Sequence, residues 1–310
     1  MTRQWTDEAW LAQVHAWIDG RLEALGVTRT GEIEQPHVEV WSTVLRVPTQ
    51  GGPVWFKANH APLVHEAALV NLLAARVPDR VQAPLACDTD RGWLLMSDAG
   101  DRLREVVESE QSLDGWLEVL DGAARIQLAL EDDVDVLLGL GVPDLRLDVL
   151  PARYDALMDE IGAEPRFRKA AALVRVLARD LAPYGIRETV QHDDLHDGQV
   201  FVRDGRHWVM DWSDACVSHP FFTLAVTLEG VIAWGIDDVE ASVDVTPFRD
   251  AYLAPYANAY PLLSSSDLIE AARLATRLGW ACRAVNGHVV GHNAHTIRRL
   301  TMFLDGRVGD

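Results

Sequence analysis

The chain has 310 residues, more than one small domain needs, and its 48% hydrophobic and 24% charged residues are typical of a globular protein. This composition excludes a disordered or collagen-like chain, and arginines interrupt the apolar stretches well before the ~20 residues of a membrane span. The net charge of −19 disfavours a nucleic-acid partner, because it would repel the phosphate backbone.

The amino-terminal residues and the cysteines favour the cytoplasm. The first residues lack the basic and apolar regions of a secretory signal. Cys87, Cys216 and Cys282 show no CxxC spacing, so we expect small buried hydrophobic residues rather than a disulfide or a zinc site. Nothing in the pattern points to a membrane or to an obligate protein partner.

The first third of the chain predicts a small sheet with an inserted helix. Helical spacing of apolar residues covers 7–25 and 62–75, and strand-like runs cover 44–47, 54–57, 85–88 and 93–97. The remainder is mainly helical, with helical periodicity over 116–130, 150–161, 166–181 and from 221 onward. The sequence therefore predicts an α+β fold, with a β-rich lobe over residues 1–97 and a helical lobe over residues 98–310.

One hairpin in the second lobe carries potential metal ligands. Asp204-Gly205 lies between two β-type runs, which is a strong signal for a type I′ turn. Counting outward from this turn pairs Gln199 with Met210, so Gln199 and Asp211 lie roughly 5 Å apart across the strands. Asp194 precedes Gln199 by five residues in the loop before the hairpin. Carboxylate and amide oxygens that converge in this way can hold a divalent cation and orient a hydroxyl group.

Residues 192–199 and 209–212 resemble the H-G-D-L-H-x-x-N and I-D-W motifs of the aminoglycoside phosphotransferase family, small-molecule kinases with the bilobal protein-kinase-like fold. The resemblance implies ATP or another nucleoside triphosphate as donor, Asp194 as catalytic base, and Gln199 and Asp211 as Mg²⁺ ligands. Gln199 stands where this family more often has asparagine. In this glutamine the chain resembles the maltokinase and amino-sugar kinase branch of the family.

The remaining loop residues allow two interpretations. Within the resemblance, His192 and His196 brace the loop, while Asp193 replaces the usual glycine and is a candidate substrate contact. The rival hypothesis is a hydrolytic metal cluster of His192, Asp193, Asp194, His196 and Asp197, because histidine and aspartate at short spacing also suit zinc or iron.

Lys57 and Glu66 are the candidate nucleotide pair of the first lobe. Only two of the 28 lysine and arginine residues are lysine, and Lys57 ends an apolar strand. Glu66 lies on the apolar face of the next helix, where a buried carboxylate needs a partner. The resemblance implies that this pair positions the ATP phosphates. The alternative is a surface lysine and a solvent-facing glutamate.

Five further residues are candidate nucleotide contacts. By resemblance, Met96, Ser97 and Ala99 form the segment that binds the adenine base. Ser42 and Thr43 lie where a phosphate-binding loop is expected, although ordinary strand residues fit them equally well.

The carboxy-terminal helices supply the candidate acceptor site, again by resemblance. The candidates are polar and aromatic, with helix packing as the alternative: Glu229, Trp234, Trp280, Arg283, Asn286 and His288. The predicted function is a kinase that transfers the γ-phosphoryl group of ATP to an alcohol group of an aminoglycoside, amino sugar or related natural product. The alternatives are a catalytically silent nucleotide-binding regulatory protein of the same fold and, behind it, the metal hydrolase.

Overall fold

A computed structural model describes residues 4–305 and divides them into two compact units. The first runs to Gly100 and also includes Asp211–Ser213, whereas the second holds Asp101–Met210 and the residues from Asp214 onward. The lobe boundary expected at residue 97 stays a prediction. The first compact unit ends at Gly100 and also includes a segment from later in the chain.

The first unit is an antiparallel sheet with two α-helices. Its elements are α1 (Glu8–Ala24), β1 (Glu34–Val38), β2 (Ser42–Val47), β3 (Val54–Asn59), α2 (His65–Arg76), β4 (Ala86–Asp88) and β5 (Trp93–Ser97). The strand order is β1-β2-β3-β5-β4, and each neighbouring pair is antiparallel. The two predicted helices and both hairpins are confirmed, while β1 was not predicted.

Aromatic packing fixes α1 on this sheet. The ring of Trp17 meets those of Phe56 and Trp93 edge to face, with centroids 5.8 and 5.6 Å apart. Such pairs add about 0.5–1.5 kcal/mol each beyond the burial of apolar area. Since Phe56 precedes Lys57 on β3, the helix stabilises the strand that carries the candidate lysine.

The helices of the second unit are α3 (Leu103–Glu110), α4 (Gly115–Ala129), α5 (Val134–Gly139), α6 (Leu150–Glu160), α7 (Pro165–Lys169), α8 (Ala171–Leu181), α9 (Thr246–Ala259), α10 (Ser265–Asn286) and α11 (Asn293–Asp305). The single helix predicted over 166–181 is two helices that meet at Ala170. A π-helix, Ala225–Val231, precedes α9. No helix within residues 4–305 is long and apolar enough to span a bilayer.

Two small sheets frame the chemistry-bearing loop of the second unit. They contain β6 (Asp101–Arg102), β8 (Val200–Arg203) and β9 (Arg206–Val209) in one, and β7 (Thr189–Gln191) and β10 (Cys216–Ser218) in the other. Asp204 and Gly205 both have positive φ, at 53° and 70°, as a type I′ turn requires. The Met210 N–H donates to the Gln199 carbonyl oxygen at 2.8 Å, which confirms the predicted register.

Candidate functional site

The loop that follows β7 turns through a left-handed residue. Asp193 has φ 63°, a conformation that glycine adopts freely and that aspartate tolerates better than most residues. The Nδ1 atom of His192 accepts the Asp194 N–H at 3.3 Å, and its Nε2 atom lies 2.8 Å from the Met210 carbonyl oxygen. With Nδ1 as acceptor, Nε2 carries the proton and donates. These are the bonds that a bracing role requires of His192.

The second half of the loop is tied to its own backbone and to the π-helix. The Nδ1 atom of His196 accepts the Gly198 N–H at 3.0 Å, and its Nε2 atom lies 3.9 Å from Asp194 Oδ2. The Thr227 hydroxyl, on the π-helix, donates to the Leu195 carbonyl oxygen at 2.8 Å. The backbone on both sides of His196 is thereby fixed.

Asp194 belongs to a charged group that we call the Asp194 cluster: Asp193, Asp194, Asp214, Arg283 and Asn286. The Nη2 atom of Arg283 lies 2.8 Å from Asp194 Oδ1 and 3.0 Å from Asp214 Oδ2. The Asn286 amide donates to Asp193 Oδ2 at 2.8 Å and to the Asp214 carbonyl oxygen at 2.6 Å. Helix α10, which carries Arg283 and Asn286, therefore binds the loop before β8 and the residue after the Asp211–Ser213 segment.

Burial and the guanidinium act in opposite directions on these carboxyl groups. Burial would raise the pKa of Asp194, but the charge of Arg283 and weaker positive neighbours leave it below its ordinary value. Burial dominates at Asp193, whose pKa rises to about 6 although Arg283 and two amide donors oppose the shift. Asp194 therefore remains ionised at mildly acidic pH, whereas Asp193 takes up a proton as the pH falls through about 6.

The first unit holds a second charged group, the Lys57 cluster: Lys57, Asn59, Glu66, Asp211 and Ser213. The Lys57 ammonium lies 2.8 Å from Glu66 Oε1 and 2.5 Å from Asp211 Oδ1. The Asn59 amide donates to Glu66 Oε2 at 2.5 Å, and the Ser213 hydroxyl donates to Asp211 Oδ1 at 2.8 Å. The predicted pair of Lys57 and Glu66 thus exists, with Asp211 as an additional partner.

Lys57 stays charged although it is only 6% exposed. Burial is the largest single influence and lowers the pKa of Lys57, yet the carboxylates of Asp211 and Glu66 together raise it above its ordinary value. A permanent ammonium held by carboxylates is a suitable partner for phosphate oxygens.

The segment expected to bind the adenine base ends β5. Met96 and Ser97 pair with Trp55 and Val54 of β3. The Trp55 indole N–H donates to Asp98 Oδ1 at 3.2 Å, and Ala99 is buried. These contacts fix the backbone of the segment, while its part in nucleotide binding stays a prediction.

The hydroxyl groups of Ser42 and Thr43 are engaged within the sheet. Thr43 Oγ1 donates to the His37 carbonyl oxygen at 2.8 Å and accepts from the Gln35 amide at 2.9 Å. Ser42 Oγ lies 3.3 Å from His37 Nε2. Both side chains are buried, which favours the strand role over phosphate binding.

The structure brings three of the acceptor-site candidates together and separates another. Glu229 accepts the Trp280 indole N–H on Oε2 at 2.6 Å and the Trp234 indole N–H on its carbonyl oxygen at 3.0 Å. His288 instead bonds to Thr296, with 2.9 Å between Nδ1 and Oγ1. Arg283, at 4% exposure, is a member of the Asp194 cluster. The Arg283 side chain therefore offers little exposed surface for the predicted contact with substrate.

Three residues of the two clusters escaped the sequence analysis. Asn59 follows Lys57 by two residues on β3, so strand alternation places both on one face, and this signal was available. Ser213 and Asp214 come just after Asp211, within a one-turn 3₁₀-helix, Trp212–Asp214. Their roles depend on contacts with residues that are distant in sequence.

In the part of the chain that the structure describes, the histidines and aspartates of the loop are not gathered around one point as the ligands of an ion would be. Within residues 4–305, the group of side chains close enough to share an ion is Asp193, Cys216 and Cys282, all buried. The ring nitrogens of His192 both make hydrogen bonds in the loop, so neither is available as a ligand. This geometry disfavours the metal-hydrolase alternative.

Solved structures share this fold over nearly the whole chain. Macrolide 2′-phosphotransferase MphH from Brachybacterium faecium has a TM-score of 0.53 at 16% identity, covering 92% of this chain and 97% of that one. Choline kinase LicA from Streptococcus pneumoniae has a TM-score of 0.60 at 13% identity, covering 95% and 98%. The GDP complex of aminoglycoside 2′-phosphotransferase-IIIa has a TM-score of 0.59 at 13% identity, covering 94% and 96%. The predicted α+β, protein-kinase-like fold is confirmed.

Sequence comparison gives the family. No curated protein matches the chain significantly. The family model described as the phosphotransferase enzyme family matches residues 32–266, which is more than half of the chain and agrees with the motif resemblance. The chain therefore belongs to the phosphotransferase enzyme family, and the predicted enzyme class is confirmed.

Proposed function

We propose that the enzyme transfers the γ-phosphoryl group of ATP, or of another nucleoside triphosphate, to a hydroxyl group of a small molecule. The observation that carries this proposal is the Asp194 carboxylate, whose Oδ1 atom is held by Arg283 while the side chain remains 26% exposed. A carboxylate fixed at one oxygen and accessible to solvent can accept a proton from an acceptor hydroxyl with the other.

The remaining chemistry is positioning and charge compensation. Lys57, held by Glu66, offsets the negative charge of the phosphates in this proposal. Gln199 and Asp211 hold Mg²⁺, since both offer oxygen atoms, the donors that Mg²⁺ prefers. The bound ion supplies further positive charge at the phosphate oxygens.

The cellular compartment and the residues that contact the adenine base are proposed as the sequence predicted them. Met96, Ser97 and Ala99 contact the nucleotide base. Ser42 and Thr43 are weaker candidates for phosphate contact, because their hydroxyl groups already bond within the sheet. The cytoplasm is the expected location, since it supplies ATP and Mg²⁺.

We favour an aminoglycoside or amino sugar as acceptor. The net charge of −19 attracts cationic ligands, and Glu229 adds a carboxylate beside the Trp280 ring. The fold alone does not choose the acceptor, because macrolide, aminoglycoside and choline enzymes share it.

The test is ATP consumption with Mg²⁺ across a panel of aminoglycosides, amino sugars, neutral sugars, macrolides and amino alcohols. The Asp194→Ala variant serves as the blank, and Asp135→Ala, an exposed aspartate of the same unit, serves as the matched control. We expect a hit that Asp194→Ala abolishes and Asp135→Ala leaves unchanged. Retained phosphorylation by Asp194→Ala would contradict the proposed role of this residue.

A melting-temperature measurement with Mg-ATP distinguishes a kinase from the alternative, a catalytically silent nucleotide-binding protein. Ligand that binds the folded state raises the melting temperature whether or not turnover follows. Stabilisation by Mg-ATP without consumption across the panel would favour that alternative. Neither stabilisation nor consumption would contradict the proposed kinase function.

A further inference from the structure

Arg283 is a buried guanidinium that faces three carboxylates. Its side chain is 4% exposed on α10, yet Nη2 contacts both Asp194 and Asp214, and Nη1 lies 3.6 Å from Asp193 Oδ2. The sequence suggested a substrate contact for this residue. Its burial and its acidic partners point to a different task.

Neighbouring groups hold Arg283 in place from two sides. Asn286, one turn later on α10, binds both Asp193 and the Asp214 backbone. Gly287, which ends the helix, lies so close to the guanidinium groups of Arg283 and Arg299 that an added Cβ would collide with both. The Arg299 guanidinium donates to the Gly287 carbonyl oxygen at 2.6 Å. The Arg283 side chain is therefore confined to one position.

The guanidinium has two consequences for Asp194. A planar fork of donors constrains the direction of a carboxylate, whereas an ammonium acts as a point charge. Arg283 engages Oδ1 of Asp194, whereas Oδ2 lies 3.9 Å from His196 Nε2. Arg283 is also the strongest of the positive charges that keep Asp194 ionised.

We propose that Arg283 is a positioning residue for phosphoryl transfer. It fixes the carboxylate of Asp194 through Oδ1 so that Oδ2 points to the acceptor hydroxyl. This inference rests on the proposed function, in which Asp194 accepts the proton of that hydroxyl. Asp193, Asp214 and Asn286 act one step further away, by holding Arg283 and its helix against the loop.

Two variants displace the fork without leaving the carboxylates unpaired. Arg283→Lys keeps the charge, and Gly287→Ala keeps every charged group but pushes the guanidinium aside. We expect each to lower kcat about 10- to 100-fold, because small displacements of a reacting group have effects of this size. The KM for ATP and the rise in melting temperature with Mg-ATP should stay within about twofold of the wild type, since Arg283 acts on Asp194 and not on the nucleotide.

The matched controls are Arg273→Lys, an exposed arginine of α10, and Gly139→Ala, where an added Cβ meets no atom within 4 Å. Both should retain the wild-type kcat. Assays use the panel acceptor that the wild type phosphorylates, or slow ATP hydrolysis if none is found. Folded Arg283→Lys and Gly287→Ala variants with the wild-type kcat would overturn the inference and leave the proposed function standing.

A double variant tests whether Arg283 acts through Asp194. In an Asp194→Asn background, Arg283→Lys should lower kcat by no more than about twofold further, because residues that act as a unit are non-additive. A further loss as large as in the wild-type background would assign Arg283 a separate role and overturn the inference. A wild type that neither binds nor consumes Mg-ATP would overturn the proposed function and this inference with it.

Discussion

Each of the two units holds a buried cation among carboxylates, but the cation is a lysine in the first unit and an arginine in the second. In the Lys57 cluster one ammonium meets two carboxylates, and in the Asp194 cluster one guanidinium faces three. Both cations are less than a tenth exposed, so neither could remain charged without these partners. The difference lies in geometry, because a lysine offers a compact charge and an arginine offers a directed fork.

The difference matches what each cluster is proposed to do. Phosphate oxygens of a nucleotide need charge close by, and an ammonium supplies it from any direction. A general base needs a fixed orientation, which a fork imposes. We therefore expect reciprocal intolerance: Lys57 should not be replaceable by arginine, nor Arg283 by lysine.

The largest effect is expected for Lys57→Arg. The wider guanidinium has no room in a site that is 6% exposed and already filled by Glu66 and Asp211. We expect turnover to fall about 100-fold or more, the size of effect seen when a preorganised charge is removed. Stabilisation by Mg-ATP should weaken as well, in contrast to Arg283→Lys.

Steady-state kinetics with varied ATP and a thermal melt with and without Mg-ATP measure this difference. Lys169→Arg, the other lysine of the chain and an exposed one, is the control and should behave as the wild type. Wild-type turnover by Lys57→Arg would mean that the point charge is not required.

The same contrast explains what could be predicted from the sequence. Lys57 was found because lysine is rare in this chain and because an apolar strand leads into it. Glu66 lies nine residues later, and a helical period places it on the apolar face. The hairpin register followed from one Asp-Gly turn, whose two residues both have positive φ.

The sequence named Arg283 only as a candidate substrate contact, and its contacts with three carboxylates could not be found in this way. Its acidic partners lie at least 69 residues away in the chain, and its helix carries other arginines with no distinguishing pattern. Asp214 has the same difficulty, since its role appears only where α10 packs against the loop. Local periodicity predicts elements and short-range pairs, whereas contacts between distant elements depend on the tertiary packing.

His219 differs from both cations, because it is a buried titratable group with no charged partner among residues 4–305. Burial lowers the pKa of His219 to about 3, and its Nδ1 atom accepts the Phe221 N–H at 3.2 Å. The unfolded chain binds a proton near pH 6.5 and the folded chain does not, so stability falls as the pH drops below that value. The loss attributable to His219 between pH 7 and pH 5 should be about 2 kcal/mol.

Urea unfolding of the wild type and of His219→Asn at both pH values measures this loss. Asparagine can still accept the Phe221 N–H but does not titrate. The wild type should lose about 2 kcal/mol more than the variant between the two pH values. Comparison with the variant is needed because the raised pKa of Asp193 acts in the opposite sense over pH 4–6. Equal losses would show that His219 titrates normally.

Removing the amide group of either cluster should lower the stability of the protein moderately, and the two removals should affect different kinetic constants. Asn59 donates to Glu66 and Asn286 donates to Asp193, each at a buried carboxylate. Changing either to alanine should lower the free energy of unfolding by about 1–3 kcal/mol, the range for a buried hydrogen bond to a charged group. Asn258→Ala, at an exposed site on α9, is the control.

The kinetic consequences should divide between the units. Asn59→Ala should raise the KM for ATP a few-fold, whereas Asn286→Ala should lower kcat with little change in KM. Denaturant unfolding and steady-state kinetics on the same preparations measure both. If both variants changed the same kinetic constant, the proposed division of tasks between Lys57 and Arg283 would be wrong.

The smallest effect is expected where an arginine and an aspartate pair near the surface. Arg104 lies 2.6 Å from Asp197, but its side chain is 56% exposed. Burial opposes the shift, yet the His196 and Arg104 contacts lower the pKa of Asp197 to about 2, so its stabilising effect is complete at neutral pH and is lost only as the pH falls from about 4 to 2.

At pH 7 we expect Arg104→Ala to lower the free energy of unfolding by no more than about 1 kcal/mol, because solvent screens the pair. The difference from the wild type should shrink in 1 M NaCl, since the Debye length falls to about 3 Å. Arg125→Ala, which breaks an exposed pair with Asp121, should behave alike. A loss as large as that of the buried amides, unaffected by salt, would mean that pairing rather than burial sets the strength of these contacts, and Arg283 would then need another explanation.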